Sequence, residues 1–251
     1  YICGFYMQQT HFGQHNLSSG LGEYIYAAKV DGSNGAWLWA NHETSGGSGS
    51  NRCNGISVDQ STGDAIVTGR LQGAATMGNR ITSVGNGDSF IAKINSNGSW
   101  LWAQEVGGQG DVFGYGVAYG WNQTGVVVGM FSGNTNISGV QHTNSGGYDG
   151  FAALHNREGY AIDSISSGSP YYDEIYAVAA DRHRTTRIQF RPLAGAPQAA
   201  QFTREIILTT IASGVSRRRA SNLHKQLMLP KGVTEIGLEN PGERFTSQRI
   251  E

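Results

Sequence analysis

Proline is scarce, five in 251 residues, and the 37 glycines do not recur every third position, which excludes a collagen-like chain. No apolar run approaches the roughly 20 residues that a bilayer-crossing helix needs, so no membrane span is expected. Charged residues make up only 15% of the chain and the formal net charge is −1, so no global electrostatic partner is implied. There is no His-Glu-x-x-His, Cys-x-x-Cys or EF-hand loop and no Gly-x-Ser-x-Gly elbow. The usual sequence signatures of a zinc site, a calcium loop and a serine hydrolase are therefore missing. "GQGDVFG" at Gly108–Gly114 lacks the Lys-Ser/Thr ending and following helix of a nucleotide loop. No metal and no cofactor is expected.

What is present is glycine, asparagine, serine and aromatic side chains, the composition of an all-β protein with many tight connections. Four of the five tryptophans stand in two related stretches, Trp37 and Trp39 in "DGSNGAWLWANHETSGGSG", Trp100 and Trp102 in "NSNGSWLWAQEVGGQG". Lining up the turn before the first Trp sets Trp37 against Trp100 and, with the turn one residue longer in the first copy, Lys29 against Lys93; the Gly-Gly step matches at Gly46/Gly47 and Gly107/Gly108. "GISVDQSTGDAIVTG" (Gly55–Gly69) matches "GVAYGWNQTGVVVG" (Gly116–Gly129), and Phe12–Tyr24 falls on Met77–Ser89 without a gap. A weaker third copy covers Gly146–Ile165 and Asp173–Asp181, with Leu154 in place of the lysine and no "WLWA". The period is 60 to 65 residues. Each period holds four short β patterns bounded by Gly/Asn/Ser turns, with the excess length between the second and third.

Four antiparallel strands per repeat is the unit of a β-propeller blade. The composite pattern, with "GVA", "VxG", "GxxxxTSxGxxDxFxAKxxxxG", "WLWA" and "GG", resembles the SBBP-type β-propeller repeat of secreted and surface-attached bacterial proteins. The resemblance covers residues 1–181 and weakens after Gly133. It implies a propeller-like array in an incomplete ring: a partial blade at 1–43, blades at 53–106 and 114–166, and a remnant at 174–193. An incomplete ring is expected of a piece of a longer protein. It leaves open blade edges, a route to self-association.

The last seventy residues read differently. Residues 1–180 hold 6 Lys+Arg against 13 Asp+Glu, and residues 181–251 hold 12 against 6. This basic, non-repeat tail (182–251) is expected to be irregular and partly helical, with Ser221 capping "SNLHKQLML" and "REIILTTIA" either strand or helix. "SRRRAS" at Ser216–Ser221 is a solvated basic run rather than a nucleic-acid site.

On a regular strand Trp37 and Trp39 share one face, as do Trp100 and Trp102, with Leu38 and Leu101 opposite. The indoles are expected to be structural, filling the taper between blades, as are the turn residues Gly69 and Gly129; the alternative for repeated tryptophan is a sugar-stacking platform. Cys3 and Cys53 fall on consecutive inner strands of neighbouring blades. They are candidates for a disulfide in an oxidising compartment, or else two buried thiols. His11 and His15 lie in a loop-like stretch with no helix to bring them together. Asp111 and Asp173 stand near corresponding places in successive connections, where a catalytic carboxylate pair is the alternative to solvated loop residues. The sequons at Asn16, Asn97, Asn122 and Asn136 follow from composition. The expectation is a non-enzymatic extracellular or cell-envelope protein, a scaffold or module that binds a protein or glycan through blade-end loops. A carbohydrate-active propeller and a self-associating adhesion subunit are the alternatives.

Overall fold

The computed structural model describes residues 1–44, 49–180, 185–192 and 204–209. Among the described residues the chain is all-β, a series of small antiparallel sheets. The first sheet has three strands in the order β1 (Ile2–Tyr6), β4 (Tyr24–Val30), β5 (Trp37–His42), with a hairpin of β2 (Gln9–Phe12) and β3 (His15–Ser18) inserted after β1. The second is four-stranded, β6 (Arg52–Val58), β7 (Ala65–Leu71), β10 (Asp88–Ile94) and β11 (Trp100–Val106), again with a hairpin, β8 (Ala74–Met77) and β9 (Asn79–Thr82). The third repeats this with β12 (Val112–Tyr119), β13 (Gly125–Phe131), β16 (Asp149–His155) and β17 (Ala161–Ser167), plus the hairpin β14 (Thr135–Ile137) and β15 (Val140–His142). The fourth is three-stranded, β18 (Asp173–Ala180), β19 (Thr185–Pro192) and β20 (Arg204–Thr209).

The extra length in each period is thus a hairpin. Its buried residues include Phe12 and Leu17 in the first sheet, Ala75, Met77 and Ile81 in the second, Thr135, Ile137 and His142 in the third. The gapless alignment of Phe12–Tyr24 with Met77–Ser89 is corrected here. The first hairpin turns between Phe12 and His15 and the second between Met77 and Asn79, so the first holds one more residue and Leu17 matches Ile81. Asn79 covers the outer edge of the second sheet. Its amide donates to the Ala103 carbonyl at 2.9 Å and its oxygen accepts from the Ala103 N–H at 2.8 Å, occupying backbone groups an open edge would leave free.

Two bulges recur. In the first strand of the second, third and fourth sheets one residue is looped out: Asn54 between Cys53 and Gly55, Tyr115 between Gly114 and Gly116, Tyr176 between Ile175 and Ala177. Gly69 and Gly129 lie across from these bulges, where a methyl group would run into the Arg52 and Phe113 carbonyl oxygens. In the last strand the looped-out residues are Leu38, Leu101 and Ile162, because Lys29 pairs with Trp39 and Val30 with Trp37, and likewise in the other two sheets.

This second bulge overturns the shared-face expectation. Trp37 and Trp39 pair with consecutive residues of β4, so they stand on opposite faces of the sheet, as do Trp100 and Trp102. Trp37 packs with Phe12 and Tyr26 on one side, while Trp39 packs on the other with Ala27, Ala65 and Ile94. Leu38 and Leu101 are 48% and 46% exposed, so they face water rather than a neighbouring sheet.

Successive sheets are joined the same way three times. Asn51, Val112 and Asp173 donate their backbone N–H to the carbonyls of Glu23, Gly87 and Tyr148 of the preceding sheet, at 3.1, 2.9 and 2.7 Å. The second indole of each "WLWA" lies on the next sheet. Trp39 covers Gly98 and donates to the Ser96 carbonyl at 3.0 Å, and Trp102 covers Gly159. Trp100 reaches back, donating to the His42 carbonyl at 3.1 Å. Cys3 and Cys53 form a disulfide between the first and second sheets. Cys3 is on β1, which pairs with β4 as β7 pairs with β10; it therefore occupies a second strand, not the inner one.

In the tail the described segments, β19 and β20, are strands, and no helix is found among its described residues. "REIIL" belongs to β20, where alternation with β19 decides between strand and helix. The Ser221-capped stretch, "SRRRAS" and Gly46/Gly47 lie outside the described residues. Among the described residues no helix is long and apolar enough to cross a membrane, a statement that does not bear on β-barrels.

Candidate functional site

The looped-out residues and the connections into each first strand share one end of the sheets, and there the side chains form a continuous strip. Phe5 carries the Arg52 guanidinium over its ring at 4.6 Å. Arg52 is the cross-strand partner of Arg70, whose guanidinium lies 5.0 Å from the Phe113 ring centre. Phe113 meets Tyr148 edge-on at 6.0 Å, and Tyr148 meets Tyr172 at 5.4 Å. Beside them the looped-out Tyr115 and Tyr176 stack at 5.0 Å with their planes 19° apart. Phe5, Tyr172 and Tyr176 are exposed and Phe113, Tyr115 and Tyr148 are half-buried, so the strip offers flat rings at its two ends, on the first and fourth sheets, with arginines and half-buried rings between.

A carboxylate frame supports the strip. Glu23 takes the Arg52 fork through both oxygens, at 2.6 and 2.5 Å, and also accepts from the Ser50 hydroxyl. Arg52 holds the Glu23 carboxyl below its ordinary range. Asp88 is buried and accepts from the Val84 and Gly108 N–H groups at 2.6 and 3.1 Å, pinning two connections at once. Burial, then Asp88 alongside, pushes Glu105 up to about 7. Glu43 is wholly buried and accepts from Ile25 N–H at 3.1 Å and from the Asn51 amide at 2.9 Å; burial raises it to about 7.

Glu43 predicts a pH dependence. Its folded value of about 7 exceeds the ordinary 4.5, so the native state binds more protons than the unfolded one between those values. The contribution is therefore full below about pH 4.5 and is lost as pH rises towards 7, by at most about 3 kcal/mol. Glu43→Gln keeps an oxygen for Ile25 and Asn51 and has no proton to lose. Urea unfolding of both proteins from pH 4.5 to 8 should show the variant gaining on the wild type as pH rises; a constant difference would contradict the assignment.

The residues singled out in the sequence lie elsewhere. Trp37, Trp39, Trp100 and Trp102 are half-buried in or between sheets, away from the strip. His11 bonds Asn16 at 2.6 Å and His15 the Trp37 carbonyl at 3.3 Å, so each has its own partner. Among the described residues no group of three His, Cys, Asp or Glu is placed to hold a metal ion. Asp31 and Asn95 accept from backbone N–H groups two residues on, as in tight turns. Asp173 accepts from Ser169 N–H and Oγ at 2.6 and 2.7 Å and aligns with Val112, whereas Asp111 aligns with Tyr172. The two aspartates are one position out of register.

The strip itself was not singled out in the sequence. Its signal was present as the tyrosine run "SPYYDEIY" and the twin arginines of β6 and β7. Their proximity depends on which sheets are neighbours. No protein-family model matches the chain, and comparison with curated proteins finds no match.

Proposed function

We propose that the chain is an SBBP-type β-propeller repeat protein, secreted or attached to a cell surface, whose four-stranded units are blades. It acts without catalysis, as a scaffold presenting a ligand-binding surface. The observation that carries this reading is the exposed aromatic–arginine strip, built from successive units at the end where their connecting loops gather. Loop and bulge residues on a fixed sheet frame are where such folds acquire binding. The threefold repetition of the same bulges and inter-sheet bonds supports the blade reading. The Cys3–Cys53 disulfide supports an oxidising compartment.

The ligand reading is tested by titrating the protein against soluble glycans and envelope proteins. Phe113→Ala and Tyr172→Ala should each abolish the binding seen with the wild type while leaving thermal unfolding in place. Loss of binding in a folded Trp100→Ala variant, with Tyr172→Ala unaffected, would move the site to the indoles. A second reading, an adhesion or assembly subunit, draws on β1: among the described residues it pairs only with β4, whereas its counterparts β7 and β13 pair on both sides. Light scattering that finds a monomer at high concentration would remove it.

A further inference from the structure

We infer that the strip recognises an acidic polysaccharide, with Arg70 taking the carboxylate of a uronic acid unit and the neighbouring rings taking its sugar faces. The inference rests on the ligand-binding reading above and names the ligand class.

It starts from an imbalance between two adjacent arginines. Arg52 is satisfied: its fork closes on both oxygens of Glu23. Arg70, its partner across the β6–β7 ladder, forms no ion pair among the described residues, and its Nε is buried with no hydrogen-bond partner. Glu23 also accepts from the Ser50 hydroxyl and feels the Arg70 charge without bonding to it. A buried guanidinium donor left without an acceptor is costly, about 1–3 kcal/mol or more for a charged group. Arg70 as a residue is half-buried, so the terminal guanidinium nitrogens, which also have no hydrogen-bond partner among the described residues, are the donors that an acceptor arriving with a ligand would meet.

The surroundings narrow the acceptor's chemistry. A guanidinium held over a ring, as Arg70 is over Phe113, keeps its in-plane N–H edges for a planar anion, and a carboxylate matches that fork. Phe113 continues into Tyr148 and Tyr172, flat rings that accept the apolar C–H face of a sugar. Tyr176, stacked on Tyr115 and donating its hydroxyl to Glu174 at 2.6 Å, extends the platform. One fixed cation beside several exposed rings fits a chain in which sugar faces alternate with carboxylates. It fits an acidic peptide less well, since that would use the cation and leave the rings idle.

The probes are tetragalacturonate, its methyl ester, a neutral glucan tetramer and a short poly-glutamate peptide, titrated calorimetrically into the full chain. Tetragalacturonate should bind, and the methyl ester should bind about tenfold or more weakly, as should tetragalacturonate to Arg70→Gln. Arg70→Lys should recover part of the affinity, and the thermal unfolding of both variants should match the wild type. The inference is overturned by equal affinity for acid and ester, by tighter binding of poly-glutamate, by no binding of tetragalacturonate, or by an unaltered affinity in folded Arg70→Gln. Neutral glucan binding that is lost in Tyr172→Ala but kept in Arg70→Gln would sink the acidic ligand and leave the strip as a binding surface. Absence of any ligand effect on Tyr172→Ala would sink both.

Discussion

Reduction of the Cys3–Cys53 disulfide should lower the unfolding free energy by about 4 kcal/mol. The bond closes a loop across a sequence separation of 50, and the chain-entropy estimate for a loop of that length gives roughly this figure at 25 °C. Its position adds to the effect. Cys3 lies on β1, which among the described residues pairs only with β4, and Cys53 on β6 at the start of the second sheet's bulge. The bond adds to links between the three-stranded sheet and its neighbour that include the Glu43–Asn51 contact, Trp39 on Gly98 and the Trp100 bond to the His42 carbonyl. Urea unfolding with and without dithiothreitol measures the change. Cys3→Ser, Cys53→Ser and the double variant should agree to within about 0.5 kcal/mol, since each removes the same bond. A reduced protein less than about 1 kcal/mol weaker than the oxidised one would mean that the unfolded chain gains little freedom on reduction. Expression in a reducing compartment should give a chain whose first sheet exchanges amide protons fastest, because that sheet depends most on the bond.

The sheet count and the strand boundaries were legible because each strand is flanked by turn residues whose backbone needs are chemical. Gly98 and Gly159 adopt φ values of +86° and +87° at the same turn of successive repeats, and such positions recur in the sequence as "NG" and "EG". What the sequence concealed was register. The looped-out Leu38 and Leu101 are ordinary apolar residues in an apolar strand, and nothing in "WLWA" announces a bulge. A period-2 reading therefore puts both indoles of each pair on one face. One extra residue in the hairpin after Phe12 was hidden for the same reason, because polar hairpin tips tolerate insertion without a change in pattern. The strip was concealed more deeply: Phe5, Arg52, Arg70, Phe113 and Tyr148 come from three sheets and Tyr172 from the connection into the fourth, and they meet only through inter-sheet packing. His142 shows the limit from the other side. It fills the buried hairpin position held by Leu17 and Ile81, and is satisfied there by the Ser166 and Ser164 hydroxyls at 2.9 and 2.7 Å, a substitution that hydropathy alone would read as a solvent-facing residue.

Trp39→Ala and Trp102→Ala should each cost about 3 kcal/mol, near the lower end for a large aromatic lost from a core, because both rings are only half-buried. The loss has three parts. Each ring covers a turn glycine of the next sheet, Gly98 or Gly159, at a position with no room for a side chain. Trp39 also forfeits its hydrogen bond to Ser96 and its edge contact with Tyr1 at 5.7 Å. Trp102 leaves a gap beside Ile66, Ile91 and Val127. Leu38→Ala and Leu101→Ala supply the control, since those side chains are exposed members of the bulge and should shift stability by no more than about 0.5 kcal/mol. The contrast between neighbours in one strand follows from Leu38 and Leu101 being exposed while the indoles on either side are packed. Chemical denaturation of the four variants reads it directly. Comparable losses at Trp102 and Leu101 would mean that Leu101 is packed against protein, which contradicts its looped-out, exposed placement. Hydrogen exchange adds a spatial test: Trp39→Ala should speed exchange in the Asn95–Ser99 turn of the second sheet, and Trp102→Ala in the Asn156–Tyr160 turn of the third. Each indole therefore acts at a distance of one repeat, stabilising the turn of a sheet other than its own.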